Sequence, residues 1–311
     1  MYSIDIAEKH GQHIAKLQNP LGESIEVIIS LGGAISNTFL KSKNSLIKVI
    51  DGINFECETV VNEYFEYKGS FMFPFVNRLE NGTFYWNKHQ FKFDLNENNK
   101  KNALHGLFYN QPFTIKSKEI SDSFCRLNLQ ATTQDIIAKF PFLLEIEIAY
   151  TLTENYLKIE TFVKNIDTQL IPFCLGWHPY FNLENDSILH IPNCRNIPCD
   201  ENLLPIFSAK EDKFKNKTIF LDYENLDHCF EINASQATVE LVRNSTDSRI
   251  KLDFKRSDNK NLYFQVYQPS HKKTVALEPQ TSFANSLNHQ KGITQLEPQQ
   301  AFSFEVNIGI S

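Results

Sequence analysis

In Val275-Ala276-Leu277-Glu278-Pro279-Gln280-Thr281 an alternating apolar segment delivers a carboxylate immediately before a proline. Proline withholds the next ladder donor and keeps the residue before it extended. The pattern therefore predicts Glu278 held rigidly at a strand end, a good position for a general base. A plain Glu-Pro loop pair is the alternative, and the segment alone does not choose. Four other stretches put polar chemistry where strands give way to loops. In Phe73-Pro-Phe-Val-Asn77-Arg78-Leu79, Arg78 leaves an apolar run with a permanent charge and a fixed fork of donors. That fork suits a polyhydroxylated ligand, or else a strand-end salt bridge. In Asn102-Ala-Leu-His105-Gly106 the glycine leaves one side of His105 open to a ligand, the alternative being a structural histidine. His178, in Leu175-Gly-Trp177-His178-Pro179-Tyr180-Phe181-Asn182, sits among aromatic residues that restrict water. There a carboxylate partner can move its pKa toward neutrality; a core histidine is the competing reading. Asn225-Leu-Asp227-His228 sets a carboxylate at the start of the segment Cys229-Phe-Glu-Ile232, as a ligand contact or an ordinary turn aspartate.

The elements that must position these groups are strands. Period-two alternation recurs from end to end: Ile25/Val27/Ile29, Phe91/Phe93/Leu95, Cys125/Leu127/Leu129 and Ile146/Ile148/Tyr150/Leu152. A turn at Glu154-Asn155 leads into Leu157/Ile159/Thr161/Val163, which reads as a hairpin. Val239/Leu241, Ile250/Leu252/Phe254, Leu262/Phe264/Val266 and Phe302/Phe304/Val306/Ile308 continue the series. Helical periodicity is almost absent; Asp135 to Phe140 could form a turn or two before Pro141. Many short strands with polar turns predict an all-β sandwich or barrel. Without an internal repeat or a Pro/Gly/Ser linker, residues 1–311 read as one domain.

Composition narrows the function. With 41% hydrophobic and 22% charged residues, a chain of 311 can bury a sizeable core. A net charge of −6 without a basic run argues against nucleic acid, and no apolar stretch is long enough for a membrane span. The first ten residues carry neither a basic region nor an apolar one, so no signal peptide is expected. Six scattered cysteines without a CxxC pair read as reduced thiols in a cytoplasm.

Taken together and in order, the polar stretches resemble the aldose 1-epimerase (mutarotase) family. The matching pieces are Asn77-Arg78 followed by Gly82, Asn102-Ala-Leu-His105-Gly106 and His178-Pro179-Tyr180-Phe181-Asn182. Asp227-His228, Glu278-Pro279-Gln280-Thr281 and Asn285 complete the series. The likeness runs from about Gly32 to Ile308, nearly the whole chain. It implies a large antiparallel β-sandwich (supersandwich) and an isomerase that interconverts the α and β anomers of an aldose, with no cofactor and no metal. By resemblance Glu278 is the general base on the C1 hydroxyl and His178 the general acid on the ring oxygen, facing each other across a bound pyranose. His105 would hydrogen-bond near the ring oxygen, Arg78 and Asp227 would hold sugar hydroxyls, and Asn77 is a further contact. A Glu near its ordinary pKa and a His raised by a neighbouring carboxylate could then exchange protons at the same pH.

The chain also departs from the family. Leu296-Glu297-Pro298-Gln299-Gln300 replaces a proline-glycine turn, and the segment between His178 and Glu278 is short. That shortening puts a galactose preference in doubt. Hexose-6-phosphate epimerases are a sister group whose arginine-bearing pattern after the His-Gly pair is missing from His105-Gly106-Leu107-Phe108-Tyr109. A free aldose is therefore the expected ligand, although Lys100 and Lys101 keep a phosphosugar in view. A metal-bound facial triad and an inactive sugar-binding module are the other readings. Monomer and homodimer are both compatible with the sequence.

Overall fold

Successive side chains of a strand point to opposite faces, so the alternating segments must pair to bury one face each. The computed structural model describes residues 1–43, 45–53, 67–97, 99–207, 218–221 and 226–311. They build two large antiparallel sheets, with three two-stranded ribbons beside them among the described residues. The larger sheet runs in the order Ser3–Lys9, Gln12–Gln18, Ser24–Ile28, Ala34–Ser42, Ser45–Asp51, Tyr180–Asn182, Thr274–Gln280, Leu262–Tyr267, Asp227–Ile232, Arg195–Ile197. Gly176–His178 also pairs with Thr274–Gln280, and Ser70–Met72 pairs with Gly176–His178. The second sheet runs Thr114–Ile120, Cys125–Thr132, Leu144–Thr153, Tyr156–Asn165, Ala301–Ile310, Ser248–Arg256, Gln236–Arg243, Ser187–His190, Thr218–Phe220. This is the large antiparallel sandwich that the resemblance implies, and one of the two all-β forms that the alternation predicts.

The core lies between the sheets. Leu17, Ile25 and Val27 from the first meet Leu127, Leu129, Ile146 and Ile148 from the second in one apolar cluster. Phenylalanines thicken it: Phe73 packs against Phe108, Phe140 and Phe173. Two polar links fasten the layers. Buried Tyr150 donates its hydroxyl to the Gly33 carbonyl, and Asn19 Nδ2 donates to the Thr153 carbonyl at 3.1 Å. The expected hairpin is present, with Thr153 paired to Tyr156 and Asn155 in the left-handed region at φ 59°.

Three local expectations change. Glu278 is not at a strand end: Thr274–Gln280 continues through Pro279, with Glu278 opposite Gln265 and Pro279 opposite Phe264. The predicted turn over Asp135–Phe140 begins earlier, as a 3-10 turn over Thr133–Ile136, because Thr132 Oγ1 accepts from Gln134 N. Leu262–Tyr267 and Thr274–Gln280 are buried almost throughout, one face by the core and the other by the loops around a cleft. Cys125, Cys174, Cys199 and Cys229 are free thiols, while Cys57 and Asn225 lie outside the described residues. No helix among the described residues is long and apolar enough to cross a membrane.

The Tyr150 hydroxyl joins the two layers at a fully buried point, so Tyr150→Phe strands the Gly33 carbonyl. The expected loss is about 1–2 kcal/mol, read from urea unfolding midpoints; an unchanged midpoint would show that the bond contributes nothing.

Candidate active site

His178 and Glu278 are each followed by a proline, and this shapes the site. The pairs Gly176↔Gln280 and Tyr180↔Ala276 keep one register. Leu277 N donates to the Pro179 carbonyl (3.2 Å) and Thr281 N to the Leu175 carbonyl (2.8 Å) in that same register. His178 and Glu278 therefore stand opposite one another at a non-hydrogen-bonded position, where antiparallel side chains come closest. Pro179 and Pro279 cannot return a ladder hydrogen bond on either side, which loosens the ladder at this one pair. The result is a contact of 3.4 Å between His178 Nε2 and Glu278 Oε1, both groups buried.

All six residues singled out from the sequence line one cleft of about 210 Å³: Asn77, Arg78, His105, His178, Asp227 and Glu278. Tyr67, Leu104, Tyr180, Gln265 and Tyr267 complete its lining. Tyr180 stacks on His178 with ring centroids 5.1 Å apart, and His105 stands edge-on to His178 at the same separation. The geometry differs from the expected one in one respect. At 3.4 Å the two groups touch, which leaves no room between them for the pyranose that the resemblance implies.

Each flanking residue is held by a named partner. His105 and Asn77 both adopt positive φ (60° and 51°), and His105 N donates to the Asn77 carbonyl at 2.9 Å. Gly106 must be glycine, since a Cβ there would lie 2.0 Å from the Phe73 carbonyl oxygen. Arg78 is both a salt bridge and a cleft residue. Its Nε and Nη2 clasp Glu97 (3.1 and 2.9 Å) and its Nη1 donates to Asn77 Oδ1 at 3.1 Å. Of five N–H donors, one on each terminal nitrogen has no partner among the described residues. Asp227 accepts from Gln265 Nε2 at 2.6 Å.

Three contributors escaped the sequence reading. Gln280 donates to Glu278 Oε2 at 2.9 Å, Gln265 holds Asp227, and Glu97 holds Arg78. Gln280 and Gln265 were findable, being polar residues on the face of Glu278 within apolar strands. Glu97 sits in a polar loop without a pattern.

Burial dominates the electrostatics. It pushes the Glu278 carboxyl well above the usual range, reinforced by the negative charge of Asp227 and opposed by Gln280 and Arg78. It pushes the His178 imidazole down to about 4, reversing the expectation that a carboxylate neighbour would raise it. The desolvation of a charged imidazole is the dominant cause, and the buried Nδ1 has no hydrogen-bond partner among the described residues. Burial thus favours the protonated carboxyl and the neutral imidazole. His105 is likewise held well below its ordinary value, by burial first and then by His178 and Arg78. Burial raises Asp227, against Arg78 and Gln265.

The comparisons with known proteins agree with the fold. The profile of the aldose 1-epimerase family matches residues 13–309. The chain belongs to the aldose 1-epimerase family. A galactose mutarotase-like protein from Clostridium acetobutylicum superposes with a TM-score of 0.85 at 20% identity, covering 100% of this chain and 98% of that one. Galactose 1-epimerase from Lactobacillus acidophilus NCFM gives 0.78 at 18% identity, with 100% and 98% coverage. Among curated proteins, YihR of Escherichia coli (strain K12) is 28% identical over 127 residues, 39% of this chain and 38% of YihR.

The pKa shifts fix how stability depends on pH. Unfolded His178 binds a proton near 6.5 and folded His178 only near 4. Its contribution is thus complete above pH 6.5 and is lost as pH falls toward 4, by at most about 3 kcal/mol. Glu278 has the opposite sign: its folded pKa is raised, so its contribution is complete below about 4.5 and is lost as pH rises. His178→Asn should flatten part of the acid-side fall in urea midpoints, His105 retaining the rest, and Glu278→Gln should reduce the loss at higher pH. An acid slope untouched by His178→Asn would assign that titration elsewhere.

Proposed function

We propose that this protein is an aldose 1-epimerase that converts α and β anomers of a free aldose by acid–base ring opening and reclosure, without a cofactor. The observation that carries this reading is the His178–Glu278 contact on the floor of a sugar-sized cleft, in a chain of this family. Glu278 takes the proton of the C1 hydroxyl and His178 protonates the ring oxygen. The open-chain aldehyde rotates about C1–C2, and closure on the other face reverses both transfers. Before the base acts, the proton passes from Glu278 to His178 across their contact; sugar hydroxyls donating to the carboxylate restore the solvation that burial removed. Arg78 and Asp227 hold hydroxyls, Asn77 orients Arg78, and His105 bonds a group near the ring oxygen.

A neutral sugar suits the charges better than a 6-phosphate. Arg78 is already clasped by Glu97, Asp227 and Glu278 add carboxyl groups, and Lys100 donates to the Glu201 carbonyl. The whole family match, residues 13–309, is consistent with one domain carrying the activity.

Polarimetry on freshly dissolved α-glucose, α-galactose and their 6-phosphates tests the proposal: free aldoses should relax faster than in buffer. Sugar binding without acceleration would point to an inactive binding module. Glu278→Gln should lower kcat by at least 10²-fold with binding retained, and His178→Asn by a comparable factor. A near-normal rate in Glu278→Gln would remove that residue as the base. Gln280→Leu, which leaves Glu278 without its buried donor, should lower kcat about three- to tenfold with little change in KM.

A further inference from the structure

Among the described residues one side chain meets the ring nitrogens of His105, and it is chemically restrictive. Its Nδ1 lies 2.9 Å from Sδ of Met72, a side chain with no solvent exposure. A thioether sulfur has lone pairs and no hydrogen, so it can accept a hydrogen bond but never donate one. With a lone pair on Nδ1 the contact would set two electron-rich atoms against each other. With the hydrogen on Nδ1 the contact is instead an N–H···S hydrogen bond. The ring is neutral, because burial and the neighbouring His178 and Arg78 oppose a second proton. A neutral imidazole with Nδ1–H has a bare lone pair on Nε2. Among the described residues nothing hydrogen-bonds Nε2, and His105 lines the cleft.

The ring is not free to escape this arrangement. Tyr67 packs against it at 4.5 Å between centroids and 61°, and His178 stands against it at 5.1 Å and 85°. Its backbone is tied to Asn77 and followed by a glycine pressed onto Phe73.

We propose that Met72 fixes His105 in the Nδ1–H tautomer, so that His105 accepts a hydrogen bond from a hydroxyl of the bound sugar and makes none to the ring oxygen. The ring oxygen bears two carbons and no hydrogen, so it needs a donor, which His105 lacks on the cleft side. Donation to that oxygen falls to His178 alone. Met72 is a positioning residue, touching the sugar only through His105. This inference rests on the epimerase reading for its ligand; the tautomer itself does not.

Long-range proton–nitrogen NMR on uniformly 15N-labelled protein reads the tautomer directly, without turnover. The expected result is a protonated Nδ1 and a bare Nε2 for His105; a protonated Nε2 overturns the proposal. Met72→Leu keeps volume and apolarity while deleting the acceptor. It should shift His105 toward the other tautomer and raise KM about three- to tenfold, with kcat changed less. Retention of both the tautomer and KM would deny Met72 its role. Monodeoxy and deoxyfluoro aldoses supply the sugar side, since fluorine can accept but not donate. At one hydroxyl position both analogues should lose affinity equally, and the penalty should shrink in Met72→Leu. Absence of such a position would refute the hydroxyl contact. Turnover with the wrong tautomer sinks this inference alone, whereas the right tautomer in a protein that accelerates no aldose sinks the epimerase reading and the sugar contact with it.

Discussion

The cross-strand pairing of His178 with Glu278 depends on a register that the hydrophobic core enforces. Val275 and Leu277, and across from them Trp177 and Phe181, turn into the apolar cluster between the sheets. A slip of one residue would exchange the two faces, driving Glu278 and His178 into that cluster and Leu277 into the cleft. Such an exchange buries a carboxyl without a donor and exposes large apolar surface, so the alternative register is strongly disfavoured. The placement of His178 and Glu278 thus follows from packing on the reverse side of the same strands. Loosening by Pro179 and Pro279 is tolerated because both neighbouring registers remain fixed.

That burial also sets the energetic problem of the site. Burial favours the neutral form of both groups, raising the Glu278 carboxyl and lowering the His178 imidazole. The donors aimed at the carboxyl group are few: Gln280 alone hydrogen-bonds it within the described residues. A ligand rich in hydroxyls changes this balance by bringing donors with it. Under the proposed epimerase reading, binding would thereby favour the charge-separated state that proton transfer needs.

Much of this was legible in the sequence, and the reasons are local. Cys125–Thr132 and Leu144–Thr153 alternate cleanly because one face meets the core and the other meets solvent. Leu262–Tyr267 was visible as a strand, but the second burden on it was not, because the cleft and its loops bury the outward face too. The polar stretches announced themselves by residue type, with Arg, His and Asp at the ends of apolar runs. Their convergence is a property of the strand order, which joins residues 176–182 to 274–280 and leaves no trace in spacing. The direction of the His178 shift was equally hidden. A carboxylate neighbour suggests an upward shift, and only the depth of burial reverses it.

Backbone strain gathers where the chemistry does. Tyr67, Asn77, His105 and Gly106 line the cleft or abut it with φ between 51° and 75°, and Asn285, at φ 58°, donates from its N–H to the Arg78 carbonyl at 2.6 Å. Glycine takes this conformation without steric cost and asparagine and histidine more readily than most residues, whereas a tyrosine there is a true outlier. A residue held there costs of order 1–3 kcal/mol and persists only where its surroundings overdetermine it. For His105 those surroundings are visible: the bond to Asn77, the close approach of Gly106 to Phe73, and the aromatic edges of Tyr67 and His178. A histidine on a relaxed loop could turn either nitrogen to a ligand. Here the sheet beneath supplies the rigidity that the loop lacks, and the strained backbone aims one nitrogen at Met72 and leaves the other for the cleft.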